Sequence, residues 1–93
     1  MTYKVKFTSA YKKDYKRAKK RGLDINLLDD VVEELRQGHQ LDPRYHDHEL
    51  RGNWAGFREC HIQPDWLLVY LIEDDILTLT LTNTGTHADI FDK

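Results

Sequence analysis

The sequence has one cysteine, two prolines and one methionine in 93 residues, and its scarcities remove whole classes of architecture. Cys60 stands alone and cannot staple the domain to itself, so the disulfide framework of small secreted domains is excluded. No apolar run exceeds the seven residues from Trp66 to Ile72, far short of the roughly 20 a membrane helix needs. The opening Met1-Thr2-Tyr3-Lys4 turns polar at once, and no apolar leader follows, so no secretory signal is expected. These absences predict a cytoplasmic chain without membrane contact. Gly-rich phosphate loops and Ser/His/Asp or Cys/His nucleophile signatures are also missing, and no cofactor is expected. The length leaves room for one core, so a single domain over 1–93 is expected.

What is present is charge, unevenly placed. Hydrophobic residues make up 40% and charged residues 32%, which describes a folding chain and not a disordered one. From Tyr3 to Arg21 there are nine Lys or Arg against one acid, Asp14. From Gly38 to Lys93 the balance reverses, with four basic residues against ten acidic. The block Lys12, Lys13, Lys16, Arg17, Lys19, Lys20 and Arg21 is either a solvated helix face or a surface for phosphate or an acidic protein.

Tyr3 to Phe7 alternates apolar and basic residues, the period of a half-buried strand with Tyr3, Val5 and Phe7 inward. Thr8 or Ser9 then caps a helix in which Tyr11, Tyr15 and Ala18 share a face and Gly22 supplies the stop. Asp24 or Asn26 caps a second helix with a Leu28, Val31, Val32, Leu35 stripe, ended by Gly38. The short link predicts an antiparallel helical hairpin. Residues 39–53 have no clear period and carry His39, His46 and His48. Strands are predicted at Trp54–Ile62, at Trp66–Ile72 as the central one, and at Ile76–Thr84 with Leu77, Leu79 and Leu81 inward. The result is an α+β fold: a small, mostly antiparallel sheet, order of elements β-α-α-β-β-β, with two N-terminal helices on one face. Two helices cover only one face, so the other is expected to be open and polar.

The tight turn at Gln63-Pro64-Asp65 sets His61 just before it and Asp65 and Trp66 just after it. Histidine both takes and gives a proton near neutrality, the pair of roles that RNA cleavage by 2′-OH attack requires. A base removes the 2′-OH proton, an acid protonates the departing 5′-oxygen, and donors meet the charge on the phosphate. Asp65 either orients a histidine or serves only its turn. Trp66 and Phe91 are either core residues or platforms for unpaired bases. A metal site built from His46, His48, Cys60, His61, Asp65 and His87 matches no ligand spacing, and Cys60 and His61, adjacent in a strand, point to opposite faces. No metal is expected.

Those residues also carry a resemblance that runs along nearly the whole chain. His46-Asp47-His48, Leu50-x-Gly52-x-Trp54-x-Gly56-Phe57-Arg58, His61-x-x-Pro64-Asp65-Trp66, Thr84-Gly85-Thr86-His87 and Phe91 resemble the RelE-type bacterial toxins, in particular the YafQ subgroup. The resemblance implies a ribosome-dependent endoribonuclease that cleaves mRNA without metal. It also implies a cognate antitoxin that wraps and blocks the toxin in a hetero-oligomer. By matching position it implies His48, His61, Asp65 and His87 as the acid/base set, with Trp66 and Phe91 in support. Arg58 matches an arginine of the pattern. Asn83 stands where the pattern has a phosphate-binding arginine, and Arg51, which has no counterpart, is the expected substitute. The basic block is expected to meet ribosomal RNA, the antitoxin, or both. If Asn83 is not compensated, the alternative is a module of this fold that binds antitoxin or RNA and cleaves weakly.

Overall fold

The computed structural model describes residues 2–91. A strand, β1 (Lys4–Phe7), leads into α1 (Ser9–Lys20) and α2 (Ile25–Arg36). A two-residue strand, β2 (His48–Glu49), is followed by β3 (Arg58–Gln63), β4 (Trp66–Glu73), β5 (Thr78–Gly85) and a short helix, α3 (His87–Phe91). Thr8 caps α1 by accepting the Tyr11 N–H at 3.0 Å, and Asp24 caps α2 by accepting that of Asn26 at 3.1 Å. Both helices stop on a left-handed glycine, Gly22 (φ 79°) and Gly38 (φ 76°). At each, the N–H one residue further on reaches back to the last turn (Leu23 to Ala18 O, 3.1 Å; His39 to Glu34 O, 3.0 Å).

The sheet runs β1-β5-β4-β3-β2, with β1 parallel to β5 and every other pair antiparallel. The predicted α+β architecture and the central place of β4 therefore hold. The sheet has five strands where four were expected, because β2 forms from the unpatterned loop. Beneath the helices, Cys60, Leu68, Tyr70, Leu79 and Leu81 pack with Tyr11, Leu28, Val31 and Leu35. Burial pushes the Cys60 thiol far up its titration range, so it is a small hydrophobe and not a nucleophile.

Several local expectations need correction. The opposite face is not simply polar: Leu67, Val69 and Ile90 form a second, smaller core there, flanked by Leu50, Trp54, Phe57 and Phe91. This also explains why β3 starts at Arg58 and not at Trp54. Residues Gly52–Trp54 form a tight turn whose Trp54 ring packs edge-to-face on Phe91, 5.2 Å between centroids. Phe7 shares the helix-side face with Leu81, its neighbour on β5, but lies at the rim of the core, 52% exposed, with its ring 5.8 Å from that of Tyr11. Leu77 lies in the β4–β5 turn in a left-handed conformation (φ 46°), 40% exposed, so the inward leucine pattern starts at Leu79, and Thr78 on the other face is buried as well. Among the described residues no helix is long and apolar enough to cross a membrane.

Candidate active site

The β3–β4 hairpin turns at Pro64–Asp65, and the two neighbouring segments that carry histidines lie against it. His61 is the centre. Its ring lies 5.8 Å from that of His46, 6.3 Å from His48 and 6.0 Å from His87, centroid to centroid. Asp65 Oδ1 stands 3.8 Å from His87 Nδ1. His48, His61, Asp65 and His87, far apart in sequence, thus form one run of neighbouring side chains on the open surface at the hairpin turn. Beside it is a cavity of about 780 Å³ lined by Arg44, Tyr45, His46, His61 and Pro64 among others.

Two residues outside the predicted set belong to this cluster. Glu59 is 4% exposed, and its Oε1 lies 3.5 Å from His48 Nε2 and 3.4 Å from His61 Nε2. A carboxylate there compensates the charge of either ring when it is protonated. Strand alternation held the clue, since residues 59 and 61 must share a face. His46 is the second. It sits in a left-handed conformation (φ 50°), and its carbonyl takes up His48 Nδ1 at 2.7 Å, leaving Nε2 to face Glu59. Asp47, between the two histidines, is pinned by Arg58 Nη2 at 2.9 Å and by the Tyr70 hydroxyl. It anchors the turn that presents them.

The predicted substrate contacts fare differently. Arg58 is committed to Asp47 and, at 3.5 Å, to Glu49, so it braces the histidine turn. Its hydrogen bond to Asp47 holds its already high pKa higher still. Trp66 is 2% exposed and donates from Nε1 to Thr84 Oγ1 at 2.9 Å, so it is a core residue and offers no face to a base. Asn83 is 8% exposed and donates to Asp14 Oδ2 at 3.2 Å, so its amide points to α1 and not to the cleft. Phe91 is half-buried, one side against Trp54 and its ring 6.1 Å from His87. Arg51 is exposed at the head of the Gly52–Trp54 turn and has no ion-pair partner among the described residues.

The basic block divides in two. Lys12, Lys16 and Lys19 line a groove of about 600 Å³ with Phe7, Tyr11 and Tyr15. Lys13 and Lys20 are exposed. Arg17 and Arg21 instead turn toward Asp14 and Asp89.

A five-stranded sheet with a helical hairpin on one face and a cluster of histidines and carboxylates at one hairpin turn defines a small α+β fold of the RelE type. Residues 3–92 match the family described as bacterial toxin of type II toxin–antitoxin system, YafQ, and the chain belongs to that family. It is 39% identical over 88 residues to the mRNA interferase toxin YafQ of Escherichia coli K12, covering 94% of each chain. It superposes on the E. coli DinJ–YafQ toxin–antitoxin complex with a TM-score of 0.89 at 37% identity, covering 98% of this chain and 99% of that one. A metal-bound toxin from Helicobacter pylori gives a TM-score of 0.89 at 41% identity, covering 98% and 100%.

Proposed function

We propose that this chain is a ribosome-dependent mRNA endoribonuclease, neutralised by a cognate antitoxin as a hetero-oligomer. The observation that carries the reading is the convergence of His48, His61, Asp65 and His87 on one open surface, in a family whose E. coli relative is named an mRNA interferase. One imidazole takes the 2′-OH proton. The oxygen attacks the adjacent phosphorus, the P–O5′ bond breaks, and a second imidazole protonates the leaving oxygen, giving a 2′,3′-cyclic phosphate and a 5′-hydroxyl. Glu59 and Asp65 hold the rings and offset their charge as protons move. Arg51 meets the negative charge that builds on the phosphate. Phe91, at the rim beside His87, supports an unpaired base. Lysines of α1 draw the chain to ribosomal RNA or to an acidic antitoxin.

No step is routed through a metal ion. Among the described residues no three His, Cys, Asp or Glu side chains are grouped to hold one. The metal-bound H. pylori relative makes chelation the control to run. A second reading, antitoxin or RNA binding with weak cleavage, is favoured by one observation: Asn83 and Arg58, the two residues at or near arginine positions of the pattern, are both turned to carboxylates.

The test is cleavage of ribosome-bound mRNA by wild type and by His61→Ala, Asp65→Ala, His87→Ala and Arg51→Ala, each with and without EDTA. Each of the first three is expected to lose about 10²-fold or more, the usual scale of acid/base contributions. Activity is expected to survive the chelator. Undiminished cleavage by all three would overturn the assignment of the site. Weak wild-type cleavage that Arg51→Ala does not lower further would establish the second reading.

A further inference from the structure

The helix that carries His87 is five residues long, too short to hold its shape by its own backbone bonds. Something outside it must set where His87 and Phe91 point. The structure shows the fastening. Asp89 Oδ2 accepts the Thr86 N–H at 2.9 Å while Thr86 Oγ1 accepts the Asp89 N–H at 3.1 Å, a reciprocal box that starts the helix. The same carboxylate receives Arg21, the residue that caps the end of α1, through two nitrogens, at 2.6 and 3.2 Å, with Arg17 Nη2 at 3.7 Å behind it. The Asp89 side chain is 15% exposed, so these partners and not water fill its lone pairs. Gly85 closes over the arrangement: a Cβ there would come within 2.8 Å of Asp89 Oδ2 and 3.1 Å of Arg17 Nη2. Arg21 also shares a cleft of about 430 Å³ with Asp65, Trp66 and Thr86, which brings the clasp next to the reacting groups without entering them.

We propose that the Arg21–Asp89 pair, backed by Arg17, is a positioning device that fixes His87 and Phe91 against Asp65 and His61. These two arginines then belong to the architecture of the site and not to the surface that meets RNA or antitoxin. The inference rests on the reading of His87 as an acid/base residue, and its test is built to separate the two.

The experiment follows wild type, Arg21→Gln, Arg21→Lys, Asp89→Asn and the double variant Arg21→Gln/Asp89→Asn in two assays. The first is ribosome-dependent mRNA cleavage, resolved into kcat and KM at two salt concentrations. The second is the NMR signals of the His87 ring in the free protein, which need no activity. Arg21→Gln and Asp89→Asn are each expected to lower kcat by about 10- to 10²-fold, the scale on which misplacing a reacting group acts, with KM nearly unchanged. The double variant is expected to lose no more than the more damaging single one, because both remove the Arg21–Asp89 contact. Arg21→Lys should recover most of the rate. The His87 ring signals should move in both single variants. A rise in KM that salt exaggerates in Arg21→Gln, with Asp89→Asn silent, would make Arg21 a phosphate contact and overturn the proposal. Unmoved His87 signals would overturn it as well. If wild type does not cleave at all, the catalytic reading fails while the ring signals still decide whether the clasp positions His87.

Discussion

Replacing Trp66 by Phe separates a core tryptophan from a base-stacking one. The indole is almost wholly enclosed, and its N–H donates to Thr84 Oγ1, which in turn donates to the Leu67 carbonyl at 2.7 Å. A phenyl ring leaves part of the pocket empty, at a cost of about 1–2 kcal/mol for the missing atoms. It also forfeits a hydrogen bond with a net contribution of about 1 kcal/mol. Thr84 keeps its bond to Leu67, so the penalty stops there, at roughly 2–3 kcal/mol. In a domain of this size each kcal/mol lowers the melting temperature by about 4–8 °C, so a fall of roughly 10–20 °C is expected. Cleavage normalised to the folded fraction should stay within about twofold of wild type, since the ring has no exposed face to lose. The assay pairs thermal unfolding by far-UV circular dichroism with mRNA cleavage on ribosomes well below the variant's transition. A variant that melts with wild type yet cleaves about 10²-fold more slowly would refute the reasoning and restore Trp66 as a platform for RNA.

Asp47→Asn should weaken the clamp on Arg58 and Tyr70, destabilise the fold by about 1–3 kcal/mol and reduce cleavage with it; a urea titration showing unchanged stability would exclude the anchoring role. Reversing Lys16, Lys19 and Lys20 to Glu should weaken ribosome association, and wild-type association should fall steeply as salt rises; sedimentation with ribosomes that is indifferent to salt would make those lysines a solvated face. The arginine clasp holds the Asp89 carboxyl well below the usual carboxylate range, with Arg21 the largest cause. Its contribution is therefore complete above the unfolded carboxylate pKa of about 4 and is lost as pH falls toward the folded value. Asp89→Asn should flatten the decline in melting temperature between roughly pH 4 and pH 2, and an unchanged decline would show that Asp89 does not drive it.

Much of this architecture was legible because local signals and burial agree. The Leu28, Val31, Leu35 stripe and the left-handed glycines after each helix need no distant partner to be read. The same holds for β4, apolar on both faces because cores lie on both sides of it. What failed depends on contacts made from far away. Trp54 and Phe57 fall in the stretch expected to open a strand, yet they fold out of the sheet to meet Ile90 and Phe91, which the local sequence could not reveal. The candidate site divides in the same way. His48, His61, Asp65 and His87 were identifiable as residue types that do acid/base chemistry, and the fold gathers all four. Nothing local sets Glu59 apart from the other acids of the C-terminal half, although its position two residues before His61 gives it the same face. The intended cations went astray for a reason of charge. Asp47 for Arg58, and Asp89 for Arg21, are partners that only the folded chain brings within reach.

The two outermost strands of the sheet bear on self-association. One edge is β1, four residues long with Lys4 and Lys6 along it, and the other is β2, only two residues long. Beyond β1, where β5 runs on without a neighbouring strand, α1 occupies its open backbone groups. The Thr8 hydroxyl donates to the Thr82 carbonyl at 2.6 Å, and the Asp14 carboxylate accepts the Thr84 N–H at 3.1 Å. An unsheathed strand of eight residues, β5 with its leucines and threonines, would be a ready template for another copy of the chain. Sealed in this way, the sheet gives a second molecule no stretch long enough to zip onto. Copies that accumulate are thereby steered away from cross-strand aggregates.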